Sequence, residues 1–371
     1  MGRLVYLDNL RSFALLLGIV FHAAIVYSSD IKYAIQDTNR SDVLSYFCYW
    51  IHSYRMPMFY MISGFFSAMV WEKKGSLFYL EARFKRVLVP TIFGLIFLAP
   101  IQYYLTEKIK TKELELLPFL EYFFTKDHFQ HSHIWFLVDL FCFSILYSLI
   151  PKSFFTLKIW DKIQSGLPRY LFLLSICFLF VFFSHSQISK GESYYGIFKL
   201  TFVFQFSFFL TGIFTYHWKT ILIQKNNHSN TKTLAIFVWA IVVYLLFKDM
   251  EIEDPLWIYF QYVNVWIRGF HIFLWVLSPF LWTSFLVSVL QTFGNKEGKL
   301  GSYLIEASLP IYLVHHPISL LYAFWIRNLD WSLWTKFSLH IMVVLGGSFF
   351  LYEFLIRKIK PLRFLFGLKN T

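Results

Sequence analysis

The chain has 371 residues, of which 57% are hydrophobic and only 15% are charged. Soluble domains carry about 25% charged residues, so this composition excludes an ordinary soluble protein and indicates a polytopic membrane protein. A formal net charge of +12 would suggest nucleic acid as the partner of a soluble protein. In a membrane protein the loops account for such charge, so we expect a lipid bilayer as partner and no nucleic acid.

Apolar segments long enough to cross a bilayer recur along the whole chain. A spanning helix needs roughly 20 predominantly apolar residues. Ten segments qualify, namely 10–28, 46–70, 87–105, 134–151, 170–184, 198–218, 233–247, 264–291, 302–325 and 336–358. The sequence therefore predicts an all-α, polytopic bundle of about ten transmembrane helices, forming one membrane-embedded domain over 1–371. The segment 264–291 is either one tilted helix or the span that follows an interfacial piece beginning at Trp257.

The distribution of lysine and arginine predicts the orientation. With a cytoplasmic N-terminus, 21 of these residues lie on the cytoplasmic side and ten on the opposite side. Because cytoplasmic loops are enriched in positive charge, we predict that the N-terminus and the C-terminus are both cytoplasmic.

The first predicted span carries two ionisable residues, and a third lies just before it. Arg11 and His22 are eleven residues apart, which is about three helical turns plus 20°, so both lie on one face, about 16 Å apart along the axis. Asp8, three residues before Arg11, shares that face. Since a lone charge in lipid costs several kcal/mol, such residues are site candidates. The pattern predicts a polar stripe that runs from the cytoplasmic surface into the membrane.

Other spans carry polar residues that the predicted topology places in the outer half of the bilayer. These candidates are His52, Arg55, His133, Trp135, Arg268, His271, His315 and His316. Histidine can act as a general base near neutral pH. It also binds metals, but neighbouring histidines on a helix point to different faces and no HExxH motif is present, so we expect no metal site. The alternative is that these residues only pair with one another inside the bundle.

A basic cluster precedes the third predicted span. In "YLEARFKRVLVP", Arg83 and Arg86 lie one helical turn apart. They could be a positively charged cytoplasmic anchor, or an anion site, because guanidinium groups bind phosphate through two parallel hydrogen bonds. A phosphorylated donor, a polar stripe and a histidine base together would fit a transmembrane group-transfer enzyme.

These segments resemble a known family. "LDNLRSFALLLGIVFHA" is similar to the Arg, ten residues, His signature of the acyltransferase family 3 membrane proteins, and "RFKRVLVP" resembles their second arginine motif. "IHSYRMPMFYMISGFFS", "HIWFL", "ASLPIYLVHHP" and "LYEFLIRKIKPLRFLF" resemble, in order and spacing, the branch that succinylates osmoregulated periplasmic glucans. The resemblance covers nearly the whole chain. One departure is Asn9, where many relatives carry glycine.

The resemblance implies a cytoplasmic acyl-CoA donor, either succinyl-CoA or acetyl-CoA, with no tightly bound cofactor. It also implies an extracytoplasmic glycan acceptor and a location in the inner membrane. It assigns His22 and Arg11 to catalysis and makes Arg83 and Arg86 contacts for the CoA phosphates. We expect His22 to be the general base, with Asp8 and His315 beside it in the catalytic group. The substrate-binding candidates are Arg55, His52, His133, Trp135, Arg268, His271 and His316.

Alternatives remain at this point. The protein could acetylate lipopolysaccharide or another envelope glycan, or act as a proton-coupled transporter or flippase, since intramembrane histidine and arginine also serve relays. A covalent acyl-histidine intermediate is open as well. A purely structural membrane protein would leave the shared face of Arg11 and His22 without a purpose.

Overall fold

The computed structural model describes residues 4–111, 114–125, 129–158, 160, 163, 166–184, 200–219, 222, 230–249 and 264–369. Regular secondary structure in these residues is helical throughout, as predicted. The helices are α1 (Val5–Ile25), α2 (Asp42–His52), α3 (Arg55–Lys74), α4 (Ser76–Lys110), α5 (Leu116–Phe123), α6 (Ser132–Ser148), α7 (Gly166–Ser184), α8 (Leu200–Trp218), α9 (Asn230–Asp249), α10 (Val265–Phe293), α11 (Lys299–Ile326), α12 (Leu333–Ile356) and α13 (Lys360–Leu365).

The protein is a multi-pass membrane protein by the length and composition of its helices. Within the described ranges, six helices are long and apolar enough to cross a membrane: α1, α4, α7, α10, α11 and α12. Shorter apolar helices cover the predicted spans 134–151 and 233–247. The remaining two predicted spans, 46–70 and 198–218, fall on α2 with α3 and on α8. The count of ten spans and the cytoplasmic termini stay predictions.

The predicted span 46–70 contains a break. Helix α2 ends at His52 and α3 begins at Arg55, with a turn at Ser53 and Tyr54 between them. Pro57 favours this start, because proline has no backbone N–H and fits best in the first turn of a helix. The prediction of one unbroken helix here is therefore wrong.

The predicted span 264–291 is a single helix. Helix α10 begins after Asn264, whose side-chain oxygen accepts hydrogen bonds from the backbone N–H groups of Trp266 at 2.9 Å and Ile267 at 3.4 Å. These bonds satisfy donors that lack partners within the helix. The proposed interfacial piece at 257–263 lies outside the described residues.

Helix α4 contains two wider π-helical turns. They cover Phe84–Leu88 and Gly94–Leu98 and lie directly before Pro90 and Pro100. Proline removes one backbone donor and clashes with the carbonyl four residues earlier, and a π turn relieves this conflict without ending the helix. The result is one helical stretch of 35 residues that is longer than the predicted span 87–105.

The residues group into two compact units. The first draws its described residues from Met1–Ala14, His52–Leu80 and Cys142–Gly301, and the second from Leu15–Ile51, Glu81–Phe141 and Ser302–Thr371. That the chain forms one domain stays a prediction.

Within the first unit, α3 and α8 approach each other at two glycines. A Cβ atom placed on Gly64 would lie 2.0 Å from the carbonyl oxygen of Phe209, and one on Gly212 would lie 1.9 Å from that of Met61. No other side chain fits at either position. Small residues at crossing points let helix backbones pack directly against each other, as is common in membrane bundles.

In the second unit, a loop between α1 and α2 is folded back on its own ends. The backbone N–H of Asp37 donates to the carbonyl oxygen of Val26 at 3.0 Å, and that of Ser41 donates to the carbonyl oxygen of Tyr27 at 2.8 Å. Asp37 also accepts two hydrogen bonds of 3.0 Å from the Lys336 ammonium of α12, and both side chains are wholly buried. This ion pair fixes the loop to α12.

Candidate active site

Four histidines of the second unit form one cluster. His22 comes from α1, His133 from the 3₁₀ first turn of α6, and His315 and His316 from α11. The His22 ring centroid lies 4.5 Å from that of His316 and 5.3 Å from that of His315. The rings of His133 and His316 stack 4.6 Å apart with an interplanar angle of 8°. The structure thus brings together four of the histidines that the sequence singles out.

Tyr33, in the loop between α1 and α2, joins two of these histidines. Its hydroxyl lies 3.0 Å from Nδ1 of His22 and 2.5 Å from Nε2 of His316. A hydroxyl has one proton to donate and can also accept, so this oxygen can serve both rings at once. The contact between His22 and His316 is therefore mediated by a hydrogen-bonded bridge as well as by ring packing.

His133 is fixed by backbone and side-chain partners. Its Nε2 lies 3.1 Å from the carbonyl oxygen of Leu313 and its Nδ1 lies 3.2 Å from Oε1 of Gln102. Gln102 itself donates from Nε2 to the carbonyl of Leu98 at 2.8 Å and accepts from the Ser132 hydroxyl at 2.5 Å. This network, built on α4 and α6, holds the His133 ring flat against His316.

His315 lies deepest in the cluster and is wholly buried. Its Nδ1 donates to the carbonyl oxygen of Tyr312, one turn earlier on α11. That bond fixes the tautomer of the neutral ring, leaving the proton on Nδ1 and the lone pair on Nε2.

A cavity of about 470 Å³ opens beside the cluster. Its walls lie entirely in the second unit and include His22, His133 and His316, together with Trp135 and Tyr33. Lys32 and Lys110 also line it, and Lys110 forms an ion pair of 2.7 Å with Glu107. A volume of this size admits a small substrate group, and a concave site with a few polar groups is the usual form of a binding site. His315 is not among the residues that line it.

A metal centre needs several ligand side chains directed at one point. Among the residues described, no three His, Cys, Asp or Glu side chains are arranged so that they could hold a metal ion. Within the cluster, Nδ1 of His315 is bonded to the carbonyl oxygen of Tyr312 and Nδ1 of His22 to the hydroxyl of Tyr33.

The beginning of α1 belongs to the first unit. There Arg11 lies 3.7 Å from a carboxylate oxygen of Asp8, and one third of its side chain is exposed. The guanidinium also lies 5.4 Å from the ring centroid of Phe66. Arg11 and His22 are thus carried by the same helix, as predicted, and Asp8 pairs with Arg11.

The two arginines of the basic cluster belong to the second unit. Arg83 and Arg86 flank the start of the first π turn of α4. Arg83 is half-buried and Arg86 is exposed, so the guanidinium of Arg86 is open to a ligand from solution. Lys85 between them forms an ion pair of 2.5 Å with Glu81.

The four other predicted substrate contacts lie in the first unit. His52 packs its ring 5.8 Å from that of Trp275, and Arg268 lies 5.4 Å from the ring centroid of Phe182. Arg55 and His271 are buried. Their predicted roles in binding substrate stay predictions.

Sequence reasoning did not find Tyr33, Gln102 or Lys32. A tyrosine in a loop and a glutamine in an apolar helix are common, and nothing in their spacing connects them to His22. The pairing of Lys336 with Asp37 was not found either, although both side chains are wholly buried. The one available signal was that a lysine inside an apolar helix needs a partner.

Comparison with known proteins identifies the class. The acyltransferase domain of acyltransferase family 3 matches residues 4–353, which is nearly the whole chain. The protein therefore belongs to this family and is an acyltransferase.

Curated relatives give a more particular likeness. The chain is 28% identical to the glucans biosynthesis protein C of Shigella dysenteriae serotype 1 over 380 residues, covering 98% of this chain and 94% of the relative. It is also 28% identical to the protein of the same name from Escherichia coli K12 over 381 residues, with the same coverage. No solved structure is significantly similar to the chain.

Proposed function

We propose that the protein transfers an acyl group, succinyl or acetyl, from a cytoplasmic acyl-CoA to a sugar hydroxyl of an envelope glucan, at the inner membrane. The observation that carries this proposal is His22, which lines a cavity beside three other histidines in a chain of the acyltransferase family. The similarity to relatives named for glucan biosynthesis supports a glucan as the acceptor.

His22 is the general base of the proposed reaction. It takes the proton of the acceptor hydroxyl as that oxygen attacks the thioester carbonyl carbon. A C–O bond forms, the C–S bond breaks, and the CoA thiolate leaves with the proton returned from His22. Positioned acid–base catalysis of this kind contributes about 10²- to 10⁴-fold to a rate.

Arg83 and Arg86 are the proposed contacts for the phosphates of CoA. Their spacing of one helical turn and the exposure of Arg86 support this role. Arg11, paired with Asp8, is the proposed partner of His22 in the family motif.

The charge of the cavity favours a dicarboxylic acyl group. Lys32 lines it, whereas Lys110, which also lines it, is paired with Glu107 at 2.7 Å. A succinyl group would place its free carboxylate near the Lys32 ammonium, whereas an acetyl group has no such charge. Arg55 and Arg268, also proposed to orient the acyl group, belong to the first unit.

Mass spectrometry of envelope glycans tests donor and acceptor together. Cells that carry the gene should contain a glucan with an added mass of one succinyl or acetyl group, and cells without it should lack that species. The purified protein in detergent should turn over succinyl-CoA or acetyl-CoA when the glucan is present. Unchanged glycans, or transport without turnover of acyl-CoA, would contradict the proposal.

A further inference from the structure

The bridge made by Tyr33 links the protonation of two rings. Its hydroxyl is within hydrogen-bond distance of Nδ1 of His22 and of Nε2 of His316. Because the hydroxyl carries a single proton, it donates to one nitrogen and accepts from the other. When both rings are neutral, only two arrangements satisfy the bridge. Either both rings carry their proton on Nδ1, or both carry it on Nε2.

The proposed role of His22 selects one of these arrangements. Since Nδ1 of His22 is committed to Tyr33, only Nε2 can take the proton of an acceptor hydroxyl. A neutral ring with a lone pair on Nε2 has its proton on Nδ1, and this proton is then donated to the Tyr33 oxygen. Tyr33 must in turn donate its own proton to Nε2 of His316.

We propose that Tyr33 and His316 are positioning residues that hold His22 as its Nδ1-protonated tautomer, with Nε2 ready to act as the base. This inference rests on the proposed acyl transfer. His22 donates to Tyr33, Tyr33 donates to His316, and the orientation of His316 is set in turn by its stack on His133. The arrangement uses a tyrosine and a histidine to do what a carboxylate does in a Ser-His-Asp triad.

The surroundings make the bridge rigid. The loop that carries Tyr33 is fixed by the buried pair of Asp37 and Lys336, and Gln36 donates to the carbonyl of Ile31 at 2.8 Å. His133, which supports His316, lies within hydrogen-bond distance of the Leu313 carbonyl and of Gln102, and its neutral ring donates to one of them. A fixed donor and a fixed acceptor are needed for a hydrogen bond to select one tautomer.

Steady-state kinetics of purified variants test the inference. Tyr33→Phe removes the hydroxyl and keeps the ring, so we expect kcat to fall about 10- to 100-fold with KM for acyl-CoA unchanged within about twofold. His316→Gln places an amide oxygen that can accept from Tyr33, so we expect it to keep most of kcat. His316→Leu cannot accept and should resemble Tyr33→Phe. The double variant Tyr33→Phe with His316→Leu should be no slower than either single variant, since both break one bridge.

A matched control separates this effect from the general loss of a tyrosine hydroxyl. Tyr104 lies on the same helix as Gln102, and its hydroxyl donates to the carbonyl of Leu114 at 3.2 Å, away from the histidines. Tyr104→Phe should leave kcat within about twofold of the unmodified protein. Equal losses in Tyr33→Phe and Tyr104→Phe would overturn the inference.

Nitrogen-15 NMR of histidine-labelled protein gives a readout that does not need activity. We expect His22 and His316, assigned by single substitutions among the twelve histidines, both to show the rarer Nδ1-protonated form. Tyr33→Phe should return His22 to a mixture of tautomers. Nε2-protonated rings at both positions would overturn the inference even if the enzyme is active. If the unmodified protein shows Nε2-protonated rings and His22→Ala still loses transfer, the tautomer inference is wrong and the acyl-transfer proposal is supported.

Discussion

Each of the two compact units has its own kind of internal contact. In the first, α3 and α8 meet backbone to backbone at Gly64 and Gly212, with no space for a side chain. In the second, histidines, a glutamine, a tyrosine and a lysine–aspartate pair are buried and hydrogen-bonded to one another. Burying a polar group costs free energy unless the group is hydrogen-bonded, and in the second unit these groups form an ordered network with one another.

This difference indicates where chemistry can take place. A contact between two backbones excludes ligands, and it stabilises the fold through close packing alone. A network of paired polar groups next to a cavity offers proton donors and acceptors in fixed positions. We therefore expect substitutions of the polar groups beside the cavity to affect turnover, and those at the glycine contact to affect stability.

The largest expected effect is on turnover in the second unit. His22→Ala removes the proposed base, so kcat for acyl transfer should fall about 1000-fold, within the range of acid–base catalysis. The variant should remain folded and inserted, which circular dichroism in detergent checks. Undiminished transfer would remove His22 from the mechanism.

The buried ion pair should give the next largest effect. Lys336→Met leaves the Asp37 carboxylate buried without its cation, which typically costs about 3–5 kcal/mol of unfolding free energy. Combining it with Asp37→Asn removes the uncompensated charge and should recover most of that loss. Chemical denaturation followed by circular dichroism measures both variants. If the double variant is as unstable as the single one, packing rather than charge is the cause.

A smaller loss of stability should follow at the glycine contact of the first unit. Gly64→Ala forces α3 away from α8, because its Cβ would lie 2.0 Å from a carbonyl oxygen. We expect about 1–3 kcal/mol lower unfolding free energy, with kcat per folded molecule unchanged. Gly346→Ala is the matched control, since nothing lies within 4 Å of its added Cβ. A similar loss at both positions would show that the helix contact is not responsible.

The smallest expected effect concerns donor binding. Arg86→Gln should raise KM for acyl-CoA about 5- to 10-fold with kcat preserved. A phosphate contact that is equally strong in the ground state and in the transition state contributes to binding but not to kcat. Lys85→Gln, which removes a neighbouring cation already paired with Glu81, serves as the control and should leave KM unchanged. An unchanged KM in Arg86→Gln would favour the anchor interpretation of the cluster.

Much of the fold could be predicted from hydrophobic patterns. The described residues of the ten predicted spans are mostly helical, since the requirement to satisfy backbone hydrogen bonds in lipid leaves few other structures. The pattern failed at the turn of Ser53 and Tyr54, because composition is nearly the same on both sides of it. The hydrophobic pattern also did not predict that α4 continues through two prolines, since π turns depend on local geometry.

The sequence by itself determined that this is a helical membrane protein, that Arg11 and His22 share one helix, and that its motifs are those of the acyltransferase family. These properties depend on composition and on spacing along one helix, which the chain carries locally. Only the tertiary structure decided that His133, His315 and His316 gather at His22 and that Tyr33 bridges two of them. The contact of Tyr33 with His316 alone joins residues 283 positions apart, and the folding of separate helices and a loop onto one another sets such contacts.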